Sequence, residues 1–161
     1  IWAFLVGIDG YSSNPLHGCV EDASRVERYL VHHLHIPTGQ IQKLLGHHDA
    51  PPTDISSIPS CENILSTLLG LSTNSDIEHG DPIIIFFAGH GSRYLWSDNH
   101  EDKEKFVEAF CPMDRNTLNR NGKPISDITN QEINTILSEI SHTKGHRISV
   151  ILDCCHAGSI T

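Results

Sequence analysis

The sequence predicts an α/β domain with a mostly parallel central sheet. Apolar runs typical of buried strands alternate with amphipathic segments typical of helices, in the order strand, helix, strand, helix, strand, helix, strand. Parallel neighbours in a sheet need long crossover connections, and the predicted helices supply them. The 161 residues suffice for one domain with its own core, and no internal repeat or low-complexity linker divides them.

The first half of the chain provides two strands and two helices. Residues 1–8 are apolar apart from one glycine, as expected for a central strand, and a turn-rich loop follows over residues 9–15. Apolar residues at helical spacing between residues 20 and 34 predict an amphipathic helix of about fifteen residues. Residues 41–45 predict a short strand, and Ser60 is the predicted N-cap of the second helix.

The second half contains clear local signals between its strands. Residues 129–132, Thr-Asn-Gln-Glu, predict a capping box at the start of a third helix. Residues 119–122, Asn-Arg-Asn-Gly, predict a tight turn. Residues 94–105 are polar and acidic without any period, so they are expected to form an exposed excursion, after which residues 106–111 return as a short strand.

Two of the predicted strands end in turns that carry reactive side chains. Residues 83–87 run into Ala-Gly-His-Gly-Ser, which presents His90, and residues 148–152 run into Asp-Cys-Cys-His-Ala-Gly-Ser, which presents Cys154 and Cys155. Open α/β sheets display functional residues at the carboxyl ends of their strands. If these strands are parallel neighbours, a thiol faces an imidazole, as a cysteine nucleophile with a histidine base requires. Side chains alternate along a strand, but spacing alone does not say which cysteine points toward the site.

Simpler interpretations of these residues stay open. A histidine between glycines can be a hydrogen-bonding loop residue, and the glycines permit unusual backbone angles or close approach of another segment. Adjacent cysteines can be small core residues. Asp22 can stabilise the N-terminus of its helix, whereas Asp22 and Asp153 together in a cleft would favour a substrate arginine or lysine. Backbone N–H groups at Gly91, at Cys155 and in residues 156–159 are candidate oxyanion donors.

Composition limits the classes of partner. A formal charge of −9 argues against nucleic acid and anionic membrane surfaces, and no apolar run approaches the roughly 18 residues of a membrane span. Five cysteines, an odd number with mostly wide spacing, do not form a disulfide framework and indicate free thiols and a cytoplasmic protein. Twelve histidines lie mostly in polar stretches, where a solvated face is favoured over a metal patch because no metal-site spacing occurs. The apolar start without an initiator Met indicates a piece of a longer chain.

These motifs resemble those of the metacaspases, the caspase-like cysteine peptidases (family C14) of fungi, plants and protists, and in particular the fungal type. Residues 86–91, Phe-Phe-Ala-Gly-His-Gly, resemble the family's histidine motif. Residues 153–158, Asp-Cys-Cys-His-Ala-Gly, are similar to its Asp-Ser-Cys-His-Ser-Gly motif. Residues 18–23, Gly-Cys-Val-Glu-Asp-Ala, resemble its Gly-Cys-x-Asn-Asp-Ala segment, and residues 8–11 fit the loop before it.

The resemblance covers nearly the whole chain and implies a fold, an activity and roles for residues. Residues 1–161 correspond to the large (p20-type) catalytic subunit of a three-layer caspase-like fold, whose small subunit is missing. The implied activity is endopeptidase cleavage after Arg or Lys by a dyad of His90 and Cys155, the cysteine directly before His-x-Gly. Asp22, Asp153 and Cys19 correspond to residues of the substrate (S1) pocket.

The resemblance also bears on cofactors and partners. Metacaspases are often activated by calcium through an acidic loop after the histidine motif. The corresponding residues 97–114 include Asp98 and Asp102 as calcium candidates, but they lack the family's dense aspartates, so a solvated acidic loop is an equal alternative. No cofactor is required. The implied partners are protein or peptide substrates and the small subunit, with no nucleic acid or membrane, and the implied process is programmed cell death.

Other functions compete with this interpretation. The first alternative is a non-catalytic caspase-like interaction domain, and the second is a related peptidase of the legumain or separase type. A flavodoxin-like enzyme would need a phosphate-binding loop after the first strand, for which residues 7–10 are a poor candidate. A caspase that cuts after Asp is disfavoured, because its Gln-Ala-Cys motif and basic pocket do not occur here.

Overall fold

The fold alternates strands and helices along the chain. Residues 1–48, 55–96 and 105–155 are described by a computed structural model. The elements within these ranges, besides two short 3₁₀ turns, are β1 Trp2–Ile8, α1 Cys19–His32, β2 Ile41–Gly46, α2 Cys61–Thr73, β3 Ile83–Ala88, β4 Gly91–Trp96, β5 Lys105–Phe110, β6 Ile128–Thr129, α3 Asn130–Lys144 and β7 Ile148–Asp153.

The central sheet consists of four parallel strands in the order β2-β1-β3-β7. All seven residues of β1 are buried, as expected for a strand with neighbours on both sides and helices on both faces. The register of β3 and β7 places Ala88 opposite Asp153. The predicted α/β class with a mostly parallel sheet is confirmed, and the strands that carry the histidine and the cysteines are parallel neighbours.

Helices cover both faces of this sheet. On one face, Ala23 and Leu30 of α1 form an apolar cluster with Leu5 of β1. On the other face, Ile64 of α2 belongs to a larger cluster with Phe4 of β1 and with apolar residues of α3. Successive side chains of a strand point to opposite faces, so β1 contributes to both clusters. The expected three-layer arrangement is confirmed.

The helices begin where local signals predict. The Thr129 hydroxyl accepts the Glu132 N–H at 3.3 Å, and the Glu132 carboxylate accepts the Thr129 N–H at 2.8 Å, which completes the predicted capping box of α3. Ser60 accepts the Asn63 N–H at 3.2 Å and caps α2. No helix in the described part of the chain is long and apolar enough to cross a membrane.

A second, antiparallel sheet of β4, β5 and β6 begins directly after His90. At the start of the predicted exposed excursion over residues 94–105, Tyr94 and Leu95 are indeed exposed, but they belong to strand β4, which continues to Trp96 and was not predicted. Arg93 and Leu95 are both exposed, so this strand lacks the apolar alternation that identifies a strand in a sequence. The predicted return strand is β5. The segment that leaves the histidine turn is therefore held in place by its pairing with β5.

Strand β7 lies at one side of the central sheet in the described part of the chain, with β3 as its only strand neighbour. Its side chains alternate between half-buried and exposed positions, and Ile151 is 47% exposed. A strand with one unpaired edge and a large exposed apolar residue is a favourable place for another strand to pair.

Candidate active site

The candidate site lies at the carboxyl edge of the central sheet, where three segments meet. These are the turn after β3 with His90, the turn after β7 with Cys154 and Cys155, and the loop after β1. The Gly89 N–H donates to the carbonyl oxygen of Asp153 at 3.3 Å, which joins the start of the histidine turn to the last paired residue of β7. The sheet therefore brings the predicted histidine and cysteine turns to one place.

Gly91 and Cys155 are in direct backbone contact. A Cβ on Gly91 would overlap the carbonyl oxygen of Cys155 and lie 3.0 Å from its carbonyl carbon. Both Gly89 and Gly91 have φ outside the left-handed region, so of the two properties that glycine permits here, a left-handed φ is not used. The expected close approach of another segment is confirmed, because glycine provides space here rather than a special conformation.

His90 is held by a backbone carbonyl group. Its Nε2 lies 2.7 Å from the carbonyl oxygen of Asn14, in the loop after β1. A carbonyl oxygen only accepts hydrogen bonds, so Nε2 carries the proton and Nδ1 is the basic nitrogen of the neutral ring. Asn14 has φ 55°, a left-handed conformation that asparagine tolerates better than most residues. This orienting group escapes sequence reasoning because it belongs to the main chain.

Tyr11 contacts His90 through its ring and its hydroxyl. The ring centroids of Tyr11 and His90 are 4.5 Å apart. The Tyr11 hydroxyl accepts the His90 N–H at 2.9 Å and donates to the carbonyl oxygen of Cys111 at 2.9 Å. Burial raises the pKa of the Tyr11 phenol well above its usual range, so the group stays protonated and keeps both hydrogen bonds.

The two adjacent cysteines occupy different environments. Cys155 is exposed, whereas Cys154 is half-buried and packs against the larger apolar cluster. The pKa of the Cys154 thiol is raised to about 11, mainly by burial and next by the neighbouring Cys155. Cys154 therefore stays a thiol near neutral pH and serves as a packing residue. Of the two cysteines, Cys155 is the one that a substrate can reach.

Acidic side chains surround Cys19 at the start of α1. Burial, followed by the carboxylates of Asp9, Asp153 and Asp22 in that order, raises the pKa of its thiol to about 12. The structure thus brings Cys19 together with both predicted acidic residues and adds Asp9. One Asp22 carboxylate oxygen also lies 3.5 Å from an Arg25 nitrogen on the helix surface.

Asp9, rather than Asp22, binds the backbone N–H groups at the N-terminus of α1. Its two carboxylate oxygens accept the N–H groups of Cys19 at 2.9 Å and Val20 at 3.4 Å, the first residues of α1. Asp22 does not accept a helix N–H in the described hydrogen bonds, although it lies in the first turn, where a negative charge is favourable. The signal for Asp9 was its position directly after β1.

A polar cluster around the buried carboxylate of Asp127 lies next to this site. The Asp127 side chain is 2% exposed and accepts hydrogen bonds from Arg115 at 2.8 Å, from the Cys111 thiol at 3.4 Å and from the Tyr94 hydroxyl. Ser92 lies 3.0 Å from the Cys111 sulfur and accepts from Arg115 at 3.2 Å. Sequence analysis did not find this cluster because its members come from separate elements.

A small cavity opens beside the histidine. Its volume is about 160 Å³, and its lining includes His90, Gly91, Asn14, Tyr11 and Arg115. Residues 156–159, which were candidate oxyanion donors, and the calcium candidates Asp98 and Asp102 lie outside the described residues. Within the described ranges, no group of three or more His, Cys, Asp or Glu side chains forms a metal site.

Comparison with known proteins identifies the family. A family model described as the metacaspase peptidase C14 domain matches residues 2–161. The chain belongs to the metacaspase family. Metacaspase-4 of Arabidopsis thaliana is 28% identical to it over 160 residues, which are 98% of this chain and 34% of that protein. Metacaspase-1 of Yarrowia lipolytica is 29% identical over 158 residues, 98% of this chain and 31% of that protein.

The metacaspase match has a limited span. The chain covers about a third of the length of these curated relatives. Among solved structures, a protein from Geobacter sulfurreducens matches with a TM-score of 0.68 and 15% identity, over 99% of this chain and 52% of that one. At this identity the likeness concerns the fold alone. The metacaspase domain described here therefore has a caspase-like α/β fold, with a candidate site at the edge where its motifs meet.

Proposed function

We propose that the protein of which this domain is part is a cysteine endopeptidase that cuts peptide bonds after Arg or Lys. The observation that carries the proposal is the contact between Gly91 and Cys155, because it joins the histidine and cysteine turns at the carboxyl edge of the sheet. The family match supports a cysteine peptidase in general. The dyad and the substrate preference are proposed from the side chains at that edge.

Cys155 is the proposed nucleophile and His90 the proposed proton carrier. His90 Nδ1 takes the proton of the Cys155 thiol, and the thiolate attacks the carbonyl carbon of the peptide bond to form a tetrahedral oxyanion. His90 passes that proton to the leaving amine as the C–N bond breaks and an acyl-enzyme remains. A water molecule then attacks the acyl carbon while Nδ1 takes its proton, the C–S bond breaks, and the carboxylic acid product leaves the Cys155 sulfur, which regains its proton from His90. The bond from His90 Nε2 to Asn14 supports this role, because it fixes the ring and its basic nitrogen.

The backbone N–H groups of Gly91 and Cys155 are the proposed oxyanion donors. The Cys111 N–H donates to the carbonyl oxygen of His90 at 3.0 Å, so Gly91 and Phe110 form a non-hydrogen-bonded pair in the β4–β5 ladder. In such a pair the N–H groups point away from the partner strand. This geometry leaves the Gly91 N–H on the side of β4 that faces away from β5.

Asp22, Asp153 and Cys19 form the proposed pocket for the substrate arginine or lysine. The support is electrostatic, because the carboxylates of Asp9, Asp22 and Asp153 all raise the pKa of the Cys19 thiol. A cationic side chain among several carboxylates gains attraction that an aspartate side chain would lose. The formal net charge of the chain, −9, is negative like these carboxylates and also favours a cationic substrate.

The small subunit is the proposed partner of β7. One edge of β7 pairs with no strand among the described residues, and Ile151 is exposed, so the central sheet can continue at this strand. Calcium remains a proposed activator, and no step is assigned to it because its candidate ligands lie outside the described residues. A cytoplasmic location is proposed from the five free cysteines, and a role in programmed cell death from the family resemblance.

Reporter peptides that end in Arg, Lys or Asp test this proposal in the full-length protein. We expect cleavage after Arg and Lys but not Asp, abolished by Cys155→Ala and largely kept by Cys154→Ala. Cys61→Ala is the matched control, because Cys61 is half-buried like Cys154 but lies at the start of α2. Equal loss from Cys154→Ala and Cys155→Ala would contradict the assignment. No cleavage by a folded protein would favour an interaction domain.

A further inference from the structure

We propose that Tyr11 is a positioning residue that sets the place and the proton arrangement of His90, an inference that rests on the proposed peptidase function. Tyr11 is 4% exposed and lies in the loop after β1, seventy-nine positions from the histidine. Its hydroxyl and its ring both contact His90, and neither contact involves substrate.

The hydroxyl is inserted into the backbone ladder at the histidine. Next to the non-hydrogen-bonded pair of Gly91 and Phe110, an antiparallel ladder would give His90 and Cys111 two direct hydrogen bonds. One of them exists, from the Cys111 N–H to the His90 carbonyl at 3.0 Å. The other is replaced by Tyr11, whose hydroxyl accepts from the His90 N–H and donates to the Cys111 carbonyl, each at 2.9 Å. The histidine backbone is therefore held away from β5 by the phenol.

The first glycine of the Gly-His-Gly motif provides room for this insertion. A Cβ on Gly89 would lie 2.6 Å from the Tyr11 hydroxyl oxygen, closer than a real contact allows. The second glycine provides room for Cys155 on the other side of the histidine. Gly89 therefore leaves space for the Tyr11 hydroxyl, which positions His90. Gly91 leaves space for the backbone of Cys155, the proposed nucleophile.

Removal of the hydroxyl has two possible structural results, and both remove the hydrogen bonds that hold the His90 backbone at this distance from Cys111. Either the His90 N–H and the Cys111 carbonyl oxygen stay unpaired in a largely buried place, or β4 and β5 move together until these two groups form a direct hydrogen bond. Closure would move the imidazole away from the Asn14 carbonyl oxygen, which accepts from Nε2 at 2.7 Å. The Tyr11 ring, 4.5 Å from the imidazole, would remain in a phenylalanine variant and keep the apolar packing.

Tyr11→Phe in the full-length protein tests the proposal, with Tyr29→Phe as the matched control. Tyr29 also stacks on a histidine, His33, at 5.2 Å, but this pair lies on the exposed surface of α1. We expect Tyr11→Phe to lower kcat about 10- to 100-fold with KM changed less than about twofold, as for a misplaced catalytic group. Tyr29→Phe should leave both constants unchanged. Measurements are made at a temperature where circular dichroism shows every variant folded.

A second readout does not depend on cleavage. The ¹⁵N chemical shifts of the His90 imidazole should report a single tautomer protonated at Nε2 in the unaltered protein, and a mixture of tautomers in Tyr11→Phe. Gly89→Ala should act like Tyr11→Phe, and the double variant should lose less than the product of the two single effects. A lower melting temperature with unchanged kcat and an unchanged tautomer would overturn the positioning role. Failure of the unaltered protein to cleave would count against the peptidase, while the tautomer still decides the role of Tyr11.

Discussion

The carbonyl group of Cys155 lies where the side chain of any residue other than glycine at position 91 would be. This contact between Gly91 and Cys155 joins the two turns that carry the proposed catalytic pair. It also explains the second glycine of the histidine motif by space, since its φ is outside the left-handed region.

Gly91→Ala should therefore disconnect the two turns. The added methyl meets backbone atoms of Cys155, which cannot rotate away as a side chain can, so the turn after β7 must shift. We expect at least about a 100-fold loss of kcat/KM on an Arg substrate, the cost of misplacing a reacting group by about 1 Å. Gly39→Ala is the control, because a Cβ there meets nothing within 4 Å. Full activity of Gly91→Ala would refute the contact.

Asp127→Ala should destabilise the domain more than loss of a surface ion pair. The change leaves Arg115 without its carboxylate partner and also removes the acceptor for Tyr94. The expected loss in free energy of unfolding is about 3 kcal/mol, at the low end for a buried pair because Arg115 is 28% exposed. Chemical denaturation measures it.

Glu27→Ala provides the matched comparison. Its pair with Lys43, at 2.7 Å, lies on the surface, so its removal should cost less than about 1 kcal/mol. Similar losses from Asp127→Ala and Glu27→Ala would show that the buried cluster contributes no more than a surface pair.

Stability should fall as the pH rises above about 9, because one thiol is buried and two others are half-buried. Burial raises the pKa of Cys61, Cys111 and Cys154 from an ordinary 9.0 to about 11. Between these values the unfolded chain loses thiol protons that the folded protein keeps, so ΔG of unfolding decreases with pH. The stabilisation is fully present below pH 9 and is lost as the pH approaches about 11.

Cys111→Ser isolates one of these contributions. Serine does not titrate in this range and can replace the thiol between Ser92 and Asp127. Urea unfolding at intervals from pH 8 to pH 10.5 should give a shallower decrease for Cys111→Ser than for the unaltered protein. Parallel curves for the two proteins would contradict the raised pKa of Cys111.

The fold and the meeting of the two motifs were predictable because their signals are local. Buried parallel strands are continuous apolar runs, as β1 and β3 are, and helix starts carry capping residues such as Thr129. The polar turn that follows each strand then lies at the same edge of the sheet. Strand β4 was not predictable, because its exposed residues lack the apolar alternation of a half-buried strand.

The parts of the site that the sequence did not predict are contacts between distant main-chain and side-chain atoms. The Asn14 carbonyl that holds His90 is present in every residue type, so no pattern marks it. The insertion of Tyr11 into the ladder and the pairing of Arg115 with Asp127 depend on the register of the second sheet. Sequence periodicity gives the face of a strand, whereas these contacts need its exact neighbours.

The most direct test of the central claim is to map where a peptidyl-arginine electrophile reacts. The full-length protein is treated with an arginine acyloxymethyl ketone and analysed by mass spectrometry. The account predicts one adduct on Cys155, blocked by an excess of Arg peptide and lost in His90→Ala, with Cys154 and Cys19 unlabelled. Labelling of Cys154 or Cys19 instead, or labelling of Cys155 that is indifferent to His90→Ala, would contradict it.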